Sequence, residues 1–315
     1  MIEKRRVLIT GIGGALARMV GARLAKQGHQ IIGVDYRSVQ GAIDFVPEKL
    51  YRANYNKTKI EDIFRRHRPH LALHLGRVGN LKERMGKRFD LNVIGSQKVM
   101  DLCAKYGVER LVVLSTFHIY GAHPHNHIPI SEGEPLRAGS AFPQIADAIQ
   151  LDSQAVAWLY QHPEVQTVVL RPCHVVGPAI QNAISRFLRQ RMIPVIMGFD
   201  PMMQFVHQDD LADAIMRAAG DGPSGIFNVT GRGSIPFREA VRIAGARAIP
   251  VPSVVAAMSL ATARIFAPVL PPYLINFLKY PCVISAAALR RAYEWEPRVG
   301  QAEAIRSSVA AAHPC

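Results

Sequence analysis

Along the first half of the chain, short aliphatic runs alternate with stretches whose apolar residues recur at helical spacing. VLIT, IIGVD, LALHLG and LVVLST read as strands, and ALARMVGARLAKQG, TKIEDIFRRH and LNVIGSQKVMDLCAKYG read as helices between them. Strands that are apolar at nearly every position, each followed by a helix, predict βαβ units around a parallel sheet covered on both faces. Right-handed crossovers then make that sheet doubly wound. A further strand, VQTVVLRP, follows a helix that contains FPQIADAIQLD, residues 142–152. Beyond about residue 178 the pattern turns irregular and proline-rich, with helical stretches DDLADAIMRAAG and SAAALRRAYEW and a short strand GIFNVTG.

Composition narrows the class without fixing it. With 315 residues and 49% hydrophobic content the chain is long enough for one large core or two unequal ones. Its four cysteines, Cys103, Cys173, Cys282 and Cys315, lie far apart and form no C-x-x-C, which suggests neither a zinc site nor a disulfide framework and suits a reducing cytoplasm. The basic, apolar opening imitates a secretory leader, but its glycines and Arg18 fit strand, turn and helix better. The tract VPSVVAAMSLATARIFAPVL is broken by Pro252, Arg264 and Pro268, so it is a poor membrane span, although it suits a membrane surface or a greasy pocket. A formal charge of +14 raises anionic partners. Because the basic residues are scattered, with local clusters at Arg77–Arg88 and Arg186–Arg191, a solvated surface is expected and nucleic acid is not.

The turn after the first strand carries the clearest chemistry. TGIGGALA places Gly11 and Gly14 in the turn and Ala17 in the first helical turn. Glycine lets the backbone approach a pyrophosphate, the helix start offers free N–H groups, and a small residue lets helix and strand pack closely. Asp35 ends the next strand, where a carboxylate accepts hydrogen bonds from a ribose and repels a 2′-phosphate. NAD is therefore expected. Arg37, beside Tyr36, keeps NADP open as an alternative. The expected fold is α/β: a Rossmann-type doubly wound parallel sheet over residues 1–178, rejoined by segments around 203–230, with a smaller, discontinuous substrate lobe over 179–315.

Seven segments, in order, carry a resemblance. TGIGGALA, LHLG, LNVIGS, LSTFHIYG, LRPCHVVGP, QFVHQDDLADA and ALRRAYEWEPRV resemble the successive motifs of the extended short-chain dehydrogenase/reductases, the group of nucleotide-sugar epimerases and dehydratases and of 3β-hydroxysteroid dehydrogenases. The resemblance implies a dinucleotide sheet with a substrate lobe, dimerised through the helix LNVIGSQKVMDLCAKYG and the one beginning near Pro143. It implies Asn54 near the adenine, Leu75 and Gly76 beside the pyrophosphate or nicotinamide ribose, and Asn92 and Pro172 by the cofactor. Thr116 would hydrogen-bond the reacting oxygen.

The departure lies in FPQIADAIQLD. In register with LRPCHVVGP and Pro143, Gln144 falls where the family has its proton-exchanging Tyr, Ala148 where it has the Lys, and Asp152 where it has a Glu. A carboxamide does not titrate near neutral pH and alanine brings no charge. Unreplaced, such a loss costs about 10²- to 10⁴-fold in rate. Two substitutes are expected from spacing: Asp147, on the helical face of Gln144, and His118, two strand positions past Thr116. His123, His125 and His127 alternate in one loop, but no acidic or Cys ligand is spaced with them, so no metal site is expected.

In LRPCHVVGP the family's Asn becomes His174, and the usual Arg before the FVHVDD segment falls near Met203. Both changes argue against a sugar nucleotide. The tract MSLATARIFAPVLPPYLINFLKYP favours a small hydrophobic alcohol or ketone, carrier-linked where the basic surface meets an acidic carrier, with peripheral membrane contact as a further option. The functional expectation is an NAD(P)-binding oxidoreductase or epimerase-like enzyme with a non-standard acid/base. The alternatives are a non-redox dinucleotide-binding structural or sensor protein, and a cyclase or isomerase on the same fold.

Overall fold

A computed structural model describes residues 4–39, 41, 43–81, 83–253, 271 and 273–310. The chain forms two compact units, and it passes between them several times. Unit 1 comprises Met1–Thr116, Ile145–Arg171 and Ala212–Phe227; unit 2 comprises Phe117–Gln144, Pro172–Leu211 and Asn228–Cys315. The expected break near residue 178 is thus replaced by an earlier exit at Thr116. The preceding strand ends at Leu114, and the loop from Phe117 folds with the later segments.

Unit 1 is built on β1 (Arg6–Thr10), α1 (Ala15–Lys26), β2 (Gln30–Asp35), β3 (Lys49–Arg52), α2 (Thr58–His67), β4 (Leu71–His74), α3 (Met85–Phe89), α4 (Gly95–Lys105), β5 (Arg110–Leu114), α6 (Ala146–Gln161) and β6 (Gln166–Pro172). With β11 (Gly225–Val229) the strands form a seven-stranded sheet in the order β11-β6-β5-β4-β1-β2-β3. Every pairing from β6 through to β3 is parallel. β4 is fully buried, and so are all but one residue of β1 and of β5, which is why they read as apolar runs. β3, at the edge, is largely exposed and carries Lys49 and Arg52. Behind the sheet, Phe64 of α2, Val99 and Cys103 of α4 and Trp158 of α6 share one hydrophobic cluster with Leu8, Ala72 and Val113.

The helix expected from Leu91 begins earlier. α3 runs through a π-helical turn, Asp90–Ile94, into α4. Asn92 in that turn is drawn into hydrogen bonds with the chain after β4 and with α6.

Unit 2 holds a 3₁₀ turn, Phe117–Tyr120, α5 (Ala138–Ala141) and a second 3₁₀ turn, Pro143–Ile145. Then come β7 (His174–Val176), α7 (Ala183–Leu188), β8 (Met192–Ile196), β9 (Met202–Met203), β10 (Phe205–His207) and the start of α8 (Gln208–Ala219). The last part is β12 (Ile235–Pro236), α9 (Phe237–Ile243), β13 (Arg247–Val251), α10 (Leu274–Phe277), α11 (Ala287–Tyr293) and α12 (Gln301–Ala310). Its described strands pair in twos: β10 with β7, β12 with β9, and β13 with β8. Gln301 joins α12 to β10, accepting from Phe205 N at 2.8 Å and donating to its carbonyl at 3.0 Å. Most of the apolar tract on which the greasy-lobe expectation rests lies outside the described residues. No described helix is long and apolar enough to cross a membrane.

Candidate dinucleotide groove and reaction centre

β4 and β2 flank β1 on opposite sides, so the connections leaving their carboxyl ends diverge and open a crevice above β1. A groove occupies this place. Of the expected cofactor residues, Gly11, Gly14, Asp35, Tyr36, Arg37, Leu75 and Gly76 line it, joined by Tyr55, Arg77 and Val78.

Its floor is bare backbone. Gly11 has φ +72, and a side chain there would run into the backbone of Gly76; a Cβ on Gly76 would in turn meet the Tyr55 hydroxyl. Gly11 N donates to Val34 O at 2.7 Å and to the Tyr55 hydroxyl at 3.0 Å. The N-cap residue of α1, Gly14, has no side chain to cap the helix and lines the groove, and the first turn of α1 carries no acidic residue to offset the positive end of the helix dipole. Ala17 is buried under α1, where its small side chain allows the close packing expected of it.

Asp35 is 1% exposed. Its two oxygens accept from Gly13 N at 3.0 Å and Arg37 N at 2.9 Å, which fixes the carboxylate while leaving lone pairs for ribose hydroxyls. Arg37 Nε lies 3.6 Å from Asp35 Oδ1, and the Arg37 and Lys87 cations flank the Tyr36 ring at 5.2 and 5.9 Å. These residues fit a dinucleotide: donors for a pyrophosphate, a carboxylate for a ribose, and no Cβ where the ligand must approach.

Behind the groove runs a buried chain of polar contacts. Gly76 N donates to Thr10 Oγ1 at 3.2 Å, Thr10 Oγ1 lies 2.8 Å from His74 Nδ1, and His74 Nε2 lies 2.7 Å from Ser96 Oγ. Burial lowers the His74 pKa to about 4, so the ring is neutral and one nitrogen donates while the other accepts. Tyr55 and His74 were missed by sequence reasoning. The only signal for either is its place, Tyr55 one position after Asn54 and His74 at the end of β4.

The remaining expected cofactor residues stand off the groove. Asn54 is exposed beside Tyr55. Pro172 ends β6. Asn92 is 1% exposed and acts one layer back: its amide oxygen accepts from Val78 N at 2.8 Å, and its nitrogen donates to Val78 O at 3.0 Å.

The structure corrects the arrangement expected around FPQIADAIQLD. Gln144 sits exposed in a 3₁₀ turn and α6 starts only at Ala146, so the helical-face relation to Asp147 does not hold. Asp147 is drawn inward to 1% exposure, where it pairs with Arg88 and accepts from Asn92 Nδ2 at 2.6 Å. A carboxylate so held anchors Arg88 and Asn92. Ala148 is buried, and Asp152 is engaged by Arg171 at 2.6 and 3.0 Å and by Ser115 Oγ at 2.6 Å.

Thr116 is buried just past β5, but the strand ends at Leu114 and His118 lies in the following 3₁₀ turn. Strand alternation therefore does not relate the two, and they belong to different units. His125 and His127 are exposed and His123 is half-buried, and the described residues contain no cluster able to hold a metal.

In unit 2, His174 stands in an aromatic nest. Its ring centroid lies 4.7 Å from Phe117, 5.8 Å from Phe205 and 6.1 Å from Phe277, with His118 at 5.4 Å. Burial brings the His174 pKa down to about 3. Its Nδ1 is buried and has no hydrogen-bond partner among the described residues.

Comparison with known proteins agrees with this geometry. An uncharacterized Mycobacterium tuberculosis protein is 28% identical over 257 residues, covering 78% of this chain and 67% of its own length. A UDP-glucuronate 4-epimerase of Thermodesulfobacterium geofontis is 25% identical over 231 residues, covering 65% of this chain and 68% of its own. Among solved structures, the Bordetella bronchiseptica enzyme WbmG in complex with NAD and UDP superposes with a TM-score of 0.77 at 20% identity, covering 98% of this chain and 94% of that one. The model of the NAD dependent epimerase/dehydratase family matches residues 7–230. With that match running over most of its length, on the strands and turn that build the groove, the chain belongs to the NAD dependent epimerase/dehydratase family.

Proposed function

We propose that the chain binds NAD in the unit 1 groove and is an oxidoreductase or epimerase-like enzyme acting on the alcohol or ketone of a hydrophobic, ring-bearing substrate. The observation that carries this reading is the His174 nest: a neutral imidazole with an unused nitrogen, walled by Phe117, Phe205 and Phe277. These side chains are only 1–4% exposed, and where the family resemblance places an Asn for a sugar nucleotide they set a neutral ring among Phe side chains that offers no charge to a diphosphate. NAD, when bound, supplies the hydride acceptor. The Asp35 carboxylate and the amides of the glycine turn hold it, and the Thr116 hydroxyl donates to the substrate oxygen. His118 is the candidate acid/base. As part of the same proposal the chain dimerises through α4 and α6, beside which Ile94 and Tyr160 are 49% and 73% exposed.

A second reading is favoured by the state of α6. Gln144 and Ala148 bring no titratable group, and Asp147 and Asp152 are both committed to arginines. A protein that holds NAD without turning it over would look the same there. Purified protein incubated with NAD or NADH and a panel of alcohols, ketones and sugar nucleotides separates the readings. The first expects NADH absorbance to change with apolar ring substrates, and expects Thr116→Ala to stop this while Gln144→Ala does not. Turnover with UDP-sugars alone refutes the substrate class. NAD binding with no turnover on any class favours the second reading, product formation that requires NAD but leaves no net NADH change is the epimerase form of the first, and product formation by NAD-free protein points to a cyclase or isomerase.

A further inference from the structure

We propose that the buried Arg88–Asp147 ion pair positions the nicotinamide half of the dinucleotide groove, acting through Asn92 and Val78. The inference rests on the groove being a dinucleotide site. Arg88 and Asp147 are 3% and 1% exposed. Arg88 Nε donates to Asp147 Oδ2 at 3.3 Å, and a terminal nitrogen of the same guanidinium pairs with Oδ1. The Oδ2 atom also accepts from Asn92 Nδ2 at 2.6 Å. Asn92 in turn grips both main-chain groups of Val78, as a neighbouring strand would. Val78 lines the groove with Leu75 and Gly76.

Two features make this more than a packing detail. A buried ion pair gains little over apolar residues of the same volume, so its presence where Leu or Met would fit points to a demand for geometry. The demand falls on one side of the groove. β4 and β2 lie on opposite sides of β1, and the carboxylate suited to the adenosine ribose ends β2, so the segment that follows β4 faces the other half of the ligand. Asn92 is also held in a π-helical turn, a local distortion that recurs at functional sites. Where the family resemblance places a lysine on α6, this chain has Ala148; the pair supplies support from behind the wall in place of a cation reaching the ligand.

Arg88 and Asp147 are thus positioning residues, and the test compares ligands that share the adenosine half. NAD and ADP are titrated calorimetrically into the wild-type chain and the apolar double variant Arg88→Met/Asp147→Leu, with melting temperatures measured alongside. The expected result is an unchanged ADP affinity and NAD binding weakened by about fivefold or more. Arg88→Lys, which keeps the charge, recovers part of the NAD affinity. If the double variant does not fold, Asp147→Asn carries the same comparison, with a smaller but still NAD-selective loss. Parallel losses for NAD and ADP, or no loss for either, overturn the proposal. A wild-type chain that binds neither ligand instead refutes the dinucleotide reading beneath it.

Discussion

Two buried neutral imidazoles give this protein a calculable sensitivity to acid. His74, within the polar chain behind the groove, has its pKa brought down to about 4, and His174, in its aromatic nest, to about 3, both by burial. An unfolded histidine titrates near 6.5. Between that value and the folded pKa, the unfolded chain binds a proton that the folded chain does not. Stability is therefore highest above pH 6.5 and falls as the pH drops through it, down to each folded pKa. From pH 8 to pH 5 the loss per histidine is about 1.5 units at ~1.4 kcal/mol each, so ~2 kcal/mol, and ~4 kcal/mol for the pair. That is a large share of the ~5–15 kcal/mol that holds a typical domain folded. Urea titrations at pH 8 and pH 5 on wild type and His174→Phe measure it. Phe fills the same aromatic surroundings and abandons no hydrogen bond at Nδ1. Any packing cost it brings is the same at both pH values. The variant should lose ~2 kcal/mol less than wild type between the two conditions. Identical losses in the two proteins would show that His174 is not held neutral by burial, and the argument would fail.

Other substitutions probe separate contacts. Gly76→Ala sets a methyl group against the Tyr55 hydroxyl and 2.9 Å from Gly11 N, so NAD titration should show a marked loss of affinity, partly recovered by adding Tyr55→Phe. Asp152→Ala leaves the 3%-exposed Arg171 guanidinium without its carboxylate and should destabilise unit 1 by ~3–5 kcal/mol in urea unfolding, with Asp152→Asn costing less.

Much of the groove was legible in the sequence because local rules fix it. A glycine turn between an apolar strand and a helix leaves few conformations, and Asp35 is placed by the length of one βα unit. The parallel, Rossmann-type character of the sheet followed from the alternation of strands and helices for the same reason. What could not be read was which polar residues turn inward. Arg88 lies in a basic run whose neighbours Lys87 and Arg84 are exposed, and nothing local distinguishes it. Its burial depends on Asp147, 59 residues away in sequence. The expectation for Asp147 failed for the same reason, since helical spacing describes a face but not the partner waiting on it. The Thr116–His118 relation failed because a strand ended two residues sooner than its apolar pattern suggested.

The groove between the glycine turn, Asp35 and Gly76 is where NAD is expected to bind. Calorimetric titration of NAD into the wild-type chain and Gly11→Ala tests it, with melting temperatures confirming that both are folded. At φ +72 and against Gly76, an alanine must displace the floor on which the pyrophosphate rests. Saturable NAD binding to wild type, with none measurable for folded Gly11→Ala, is the predicted result. Equal NAD affinity in the two proteins would place the cofactor elsewhere and contradict the account.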